Sequence, residues 1–388
     1  MKKHRILFIV VFAVMGVMSF INNSGYAQVI DTNNRTSYIL LLLSLVITLM
    51  GMSYSSRMKK RQLLLGFFAI AVFWGSPYMA GYGMDGFRFL TYFLCIYIVS
   101  KLCFDEVNLN NMGLIYGGLT GTLLAVCNFG TFLKGWNPNS LAIQAFQMLM
   151  IFCVGFNTDY EAISVKKGNG VARFRLVLFA ALVLYAAYLM ETLECRSASL
   201  ILIIAAVFMI KNKWVTGLFK NKLALLIMVI MPLLVAIITI SASKMPQMPA
   251  WNAWSMQHFK KTLFNGRDHI WETGLQWFYM SPLWGRGNIN YGNWHNSAIA
   301  CLASFGGVGY FIYVTVFNAV LYKSSFYLDD VFIRKGMIAF FAVNIQQSFE
   351  NTICQSGLMI LHPYIILGII LGRIMYIEHN KHLGEENV

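Results

Sequence analysis

Apolar runs of about 17 to 22 residues recur from one end of this chain to the other, the length a helix needs to cross the ~30 Å hydrocarbon core of a bilayer. No other feature narrows the possible folds so far. Lipid offers no hydrogen bonds to backbone N–H and C=O groups, so a spanning segment must satisfy them as a helix or in a closed barrel. Continuous apolar runs select the helix. Composition agrees: 58% of the residues are hydrophobic and 12% are charged, against about 25% charged in a soluble domain. The expected fold is all-α, a polytopic membrane protein forming a single integral domain over residues 1–388.

Twelve spans are placed at 6–21, 38–54, 62–80, 88–104, 112–129, 140–157, 173–190, 198–211, 222–241, 297–322, 335–353 and 357–378. The first follows Met-Lys-Lys-His-Arg as a secretory leader would. It lacks a small-residue cleavage motif and is read as an uncleaved signal anchor. Orientation comes from the cations, which collect in cytoplasmic loops. With the N-terminus inside, 21 of the 30 Lys/Arg fall on the inner side; removing one span would exchange the faces downstream and spoil that bias. Both termini are therefore expected in the cytoplasm. The net charge of +14 lies in short clusters between apolar runs, not on one basic face, which argues against nucleic acid. The seven cysteines show no CxxC or Cys/His spacing, so neither a disulfide framework nor a structural metal is expected.

Residues 243–296 break the apolar pattern and are expected to form a long, partly helical extracytoplasmic loop between the ninth and tenth spans. The loop holds six of the nine tryptophans and five Lys/Arg. An aromatic, cationic segment on one membrane face suits an anionic, sugar-like or lipid-linked substrate. Asn265-Gly266 signals a turn or cap, and the pattern after it predicts a helix from Arg267 to Met280 that Ser281-Pro282 ends. Arg267 then lies in a first helical turn, where free N–H groups already favour an anion and a guanidinium adds a planar fork for phosphate. A surface pairing of Arg267 with Asp268 or Glu272 is the plainer alternative. Ile270, Trp271, Leu275 and Phe278 share an apolar stripe, placing this helix along the membrane surface. Trp251, Trp254, Trp284 and Trp294 are left to stack on sugar rings.

Gly285-Arg286-Gly287 reads as a turn carrying a cation. His295 stands before Asn296 and Ser297 at the start of the tenth span, and histidine is the side chain most easily set to accept a proton near neutral pH. Arg196 occupies the short outer turn after the seventh span. At the lip of an apolar span it requires an anionic partner, which is either Glu194 or a ligand phosphate. Along the eleventh span Asn344, Gln347, Ser348 and Asn351 share a face with Glu350 at its edge. Such a stripe either bonds neighbouring helices or borders a wet cavity, one that Glu350 would share with His295.

Together the segments NGRDHIW, SPLWGRGN and WHNSAIACLASFGGVGYFIYV, with CRSASLIL upstream and NPNSLA at Asn137 to Ala142, resemble the O-antigen polymerase and ligase superfamily of bacterial surface-polysaccharide assembly. The resemblance implies an inverting glycosyltransferase without metal or other cofactor, in the bacterial cytoplasmic membrane, with its site on the extracytoplasmic face. The donor would be an undecaprenyl-diphosphate-linked oligosaccharide, with flippase and chain-length regulator proteins as partners beside the lipid bilayer. By motif match Arg196 and Arg267 would hold the diphosphate and His295 would orient or deprotonate the acceptor. Arg286, Asn296, Glu350, Trp294 and Asn139 complete the candidate substrate-binding set. A polymerase for O-antigen, capsule or exopolysaccharide is the favoured reading. A ligase acting on lipid A-core shares the architecture. A flippase would carry cations deep in several spans, and these spans are nearly free of Lys/Arg.

Overall fold

The computed structural model describes residues 2–22, 32–50, 67–72, 75, 86–102, 104–128, 138–156, 170–193, 195–287, 294–353 and 361–385. Among them there is helix and no strand. The principal helices are α1 (Lys2–Asn22), α2 (Thr32–Leu49), α3 (Gly86–Ser100), α4 (Glu106–Asn128), α5 (Pro138–Gly155), α6 (Gly170–Thr192) and α7 (Arg196–Ile210). A 3₁₀ turn (Asn212–Val215) leads into the short α8 (Thr216–Lys220). Then come α9 (Lys222–Ser243), α10 (Met248–Phe259), α11 (Arg267–Met280), α12 (Ser297–Ser324), α13 (Val331–Gln346) and α14 (Leu361–Glu385).

Four described helices are long and apolar enough to cross a membrane: Arg173–Thr192, Lys222–Ser243, Ser297–Ser324 and Leu361–Lys381. Arg196–Ile210 and Asn212–Lys220, bent by 97° at their junction, make a fifth if taken as one span. Arg5–Met18, Tyr38–Leu49, Thr91–Ser100 and Leu141–Gly155 are apolar but shorter. The molecule is thus a helical membrane protein. The span placed at 62–80 falls largely outside the described residues.

Helix α13 is the hub, packed against α5, α7, α9 and α14. Asp330 starts it by accepting the N–H groups of Phe332 and Ile333, both at 3.0 Å, the usual service of an N-cap carboxylate. Its residues are buried almost all round, as a central helix requires. The helix stops at Gln346, so the expected stripe is only partly helical. Gln347, Ser348, Glu350 and Asn351 belong to the turn that follows. The cause is tertiary: the Gln347 carboxamide accepts Ser297 Oγ at 2.6 Å and the Thr352 N–H at 2.8 Å, drawing the chain over the start of α12.

Asn344 shows how polarity is used inside this bundle. Pro232 lies inside α9 and, having no N–H, leaves the Met228 carbonyl without its helical donor. Asn344 Nδ2 donates to that carbonyl at 2.7 Å. Helix α12 contains a break, at Gly306 (φ 66°, ψ −167°), a backbone region open essentially to glycine. The segment from Pro282 to Gly287 is stitched into the gap. Arg286 and Gly287 donate to Ala303 O and Ser304 O at 3.0 and 2.8 Å, while Gly307 donates to Pro282 O at 2.7 Å. A Cβ on Gly285 would sit 2.4 Å from Phe305 N, so only glycine permits the approach.

Candidate functional site

Three charged or titratable side chains converge where α11, α12 and the turn after α13 meet. Glu350 is the pivot. Its Oε2 accepts His295 Nδ1 at 2.9 Å, and its Oε1 accepts Arg267 Nη2 at 3.3 Å. The side chains keep 12%, 28% and 26% exposure for Glu350, His295 and Arg267, so the cluster is sheltered yet open on one side. Phe349 backs it, its ring 5.9 Å from the Arg267 guanidinium.

Each member is held by local chain geometry. Arg267 is the first residue of α11, entered through Asn265 (φ 53°) and Gly266 (φ 77°). The helix has the bounds that its flanking turn signals predict. His295 has φ 46°, uncommon for a residue bearing a Cβ. Contacts on both sides fix it there. The Trp294 carbonyl accepts Trp271 Nε1 at 2.7 Å, and Asn296 caps α12 by accepting the N–H groups of Ala298 and Ile299 at 2.9 and 3.1 Å. Asn296 Nδ2 in turn donates to Pro232 O at 2.8 Å and Ser348 O at 3.2 Å. A strained residue clamped from both sides is a mark of a functional site.

The other sequence candidates sort differently. Asn296 is fully buried, and its amide is spent on α9, α12 and the turn after α13; it positions His295 and does not face a ligand. Trp294, expected to stack on a sugar, is 4% exposed and packs edge-on against Trp277 at 5.5 Å. Trp251, Trp254 and Trp284 are exposed. The α11 stripe meets the bundle, not open lipid: Trp271 is 1% exposed, and a Cβ on Gly274 would strike Ile299 at 2.3 Å. Arg286 lies over the Trp277 ring at 4.6 Å, linked to the cluster through the two tryptophans. Arg196 pairs with Glu191 at 3.3 Å and stays largely exposed; Glu194, its expected partner, lies outside the described residues. Asn139 is in the first turn of α5, and its side chain is outside the described set. The acids first considered for Arg267 have other partners: Glu272 takes Lys244 at 2.8 Å and Asp268 takes His269 at 3.7 Å. The Lys244 contact holds the Glu272 carboxyl below its usual value.

Cys195 is the residue that sequence reasoning passed over. Its thiol is buried at the N-cap of α7. Burial pushes it up to about 11, the Glu350 carboxylate adds to the rise, and Arg267 opposes it. The thiol thus feels the field of the cluster, bringing the start of α7 to the same place. Cys195 opens the CRSASLIL segment, but only the fold shows its tie to Glu350 and Arg267.

The fold and site define a helical membrane protein with a sheltered His–Glu–Arg cluster. Neither a protein-family model nor a curated protein matches the chain.

Proposed function

We propose that this chain is a bacterial surface-polysaccharide polymerase of the O-antigen type, with twelve spans and both termini in the cytoplasm. It transfers an oligosaccharide from undecaprenyl diphosphate to an acceptor sugar hydroxyl on the outer face of the cytoplasmic membrane. The observation that carries this reading is the bridging of His295 and Arg267 by one carboxylate, Glu350. Inverting transfer from a diphosphate needs a base for the incoming hydroxyl and positive charge for the leaving group. These are the two partners of that carboxylate.

In this scheme Glu350 accepts the Nδ1 proton of His295 and so leaves Nε2 as the lone-pair nitrogen. The acceptor oxygen attacks the anomeric carbon while its proton passes to Nε2, and the bond from that carbon to the diphosphate oxygen breaks. The departing diphosphate keeps the electron pair. Arg267 stabilises it through donors that Glu350 does not use, and no acid is needed to protonate it. Arg196 and Arg286 supply further positive charge in this scheme. A lipid A-core acceptor would be served by the same chemistry.

The test is transfer in membranes supplied with an undecaprenyl-diphosphate-linked oligosaccharide. Arg267→Ala should lower turnover by about a hundredfold, the scale of one lost contact to a developing charge. Arg267→Lys should rescue poorly, since it keeps the charge and loses the fork. Unchanged glycan production in the alanine variant would remove the diphosphate role.

A further inference from the structure

At the opposite end of α7 lies a second feature that the transfer chemistry does not use. Residues 211–222 read KNKWVTGLFKNK, and no Asp or Glu occurs from Cys195 through Arg267. The 3₁₀ turn and α8 leave α7 at 97°. Asn212, Val215 and Phe219 are buried and fasten this elbow to the bundle. Arg334 Nε strengthens the anchor by donating to Asn212 Oδ1 at 2.7 Å. The outward side is divided. Trp214 and Leu218 are 67% and 44% exposed and sit four residues apart on one face. Lys213 and Lys220, seven apart, share another face and are also exposed. An apolar stripe beside a cationic one is the pattern of a segment lying in a membrane interface.

Beside the elbow is a cleft of about 130 Å³, far more than the ~10–15 Å³ that admits one water. It is lined by Ile204 and Phe208 of α7, Val215 and Leu218 of the elbow, and Phe341 and Ile345 of α13. Such a lining has nothing to offer water and suits a hydrocarbon chain. Exposed cations on the elbow and an apolar cleft beside it match the two halves of one molecule. We propose that the elbow and cleft bind an anionic phospholipid, its phosphate against the lysines and one acyl chain in the cleft. The elbow is distinct from the His295 cluster: the 15 residues of α7 put it about 22 Å from the start of that helix at 1.5 Å per residue, while the cleft runs back along the helix to Ile201 and Ile345. The lipid site stands whether or not the glycosyl-transfer reading does.

Trp214 supplies the probe. Full-length protein is placed in nanodiscs of phosphatidylcholine containing a minor fraction of phosphatidylglycerol, with bromine on the acyl chains of one lipid at a time. The Trp214 fluorescence is the difference between wild type and Trp214→Phe. Brominated phosphatidylglycerol should quench this component at least about fivefold more effectively per molecule than the phosphatidylcholine counterpart, the enrichment that one lysine alone supplies. The excess should vanish in Lys213→Gln/Lys220→Gln, two exposed changes that leave the buried anchor intact. Ala205→Phe, which fills the cleft and keeps the lysines, should also remove it. Equal quenching by the two lipids in wild type, or an excess surviving in the lysine double variant, would overturn the proposal. An excess surviving in Ala205→Phe would place the acyl chain outside the cleft and contradict the site as stated.

Discussion

Two charge clusters occupy opposite ends of α13, and they are built on different principles. Around Asp330 the buried charges are committed. The carboxylate caps α13 with Oδ1 and takes both Arg373 Nε and Nη2 with Oδ2, at 2.9 and 2.7 Å. Arg373 Nη1 also donates to Phe104 O at 2.7 Å. Arg334 reaches Asn212, Leu328 O and Asp329 O, and the fully buried Lys335 donates to Phe156 O at 3.1 Å. Lys335 closes the end of α5, where an unpaired carbonyl needs a donor, and the two arginines pin the connecting segments. Around Glu350 the commitments stop short. Among the described residues His295 Nε2 has no hydrogen-bond partner, and Arg267 uses one nitrogen of its fork. A saturated cluster holds a fold together; an unsaturated, partly open one is left for a ligand.

The sharpest way to break this contrast is to remove one carboxylate from each end. Asp330→Ala should cost about 3–5 kcal/mol by stranding the buried Arg373, with about 1 kcal/mol more for the lost cap. Thermal unfolding in detergent should show a large fall, whereas Glu350→Gln should leave stability nearly unchanged and lower turnover. Comparable destabilisation by both changes would erase the distinction.

A smaller effect tests the repair of α9. Asn344→Ala should cost about 1–3 kcal/mol by leaving the Met228 carbonyl unsatisfied in the interior. Adding Pro232→Ala restores a backbone N–H at that turn, so the double variant should recover much of the loss. Additive losses would show that Asn344 acts elsewhere.

These two clusters also show what the sequence made legible. The bounds of α11 followed from local signals, Gly266 before it and Ser281-Pro282 after it. The pairing of Glu350 with His295 was foreshadowed by their common position at the ends of two spans. The stopping point of α13 could not be read, because Gln347 leaves the helix to bond Ser297, which lies 50 residues away in the chain. Trp294 and Asn296 looked available for a ligand because composition does not show which polar and aromatic groups the fold consumes. Helix α10 was missed for a related reason: it has no clear apolar period. Pro249 sits in its first turn, a start signal that the mixed Trp, Asn and Gln content obscured.

The faintest expected effect reports on the electrostatics of the cluster. With the other cysteines replaced, the alkylation rate of Cys195 at a fixed alkaline pH follows its thiolate fraction. Glu350→Gln removes an influence that raises the thiol pKa, so the thiolate fraction and the rate should rise severalfold. Arg267→Gln removes one that lowers it, so the rate should fall. Shifts of the opposite sign would mean that Cys195 does not sense the pair.

The most direct measurement is turnover of a lipid-linked oligosaccharide by His295→Ala and His295→Gln, each compared with wild type at equal amounts of folded protein. A base at this position requires the alanine variant to lose about a hundredfold or more in rate while donor binding and thermal stability hold. The glutamine variant, which keeps a hydrogen bond and cannot take up the proton, should be nearly as slow. Wild-type turnover in the alanine variant would show that the His295–Glu350–Arg267 cluster is not where the chemistry happens.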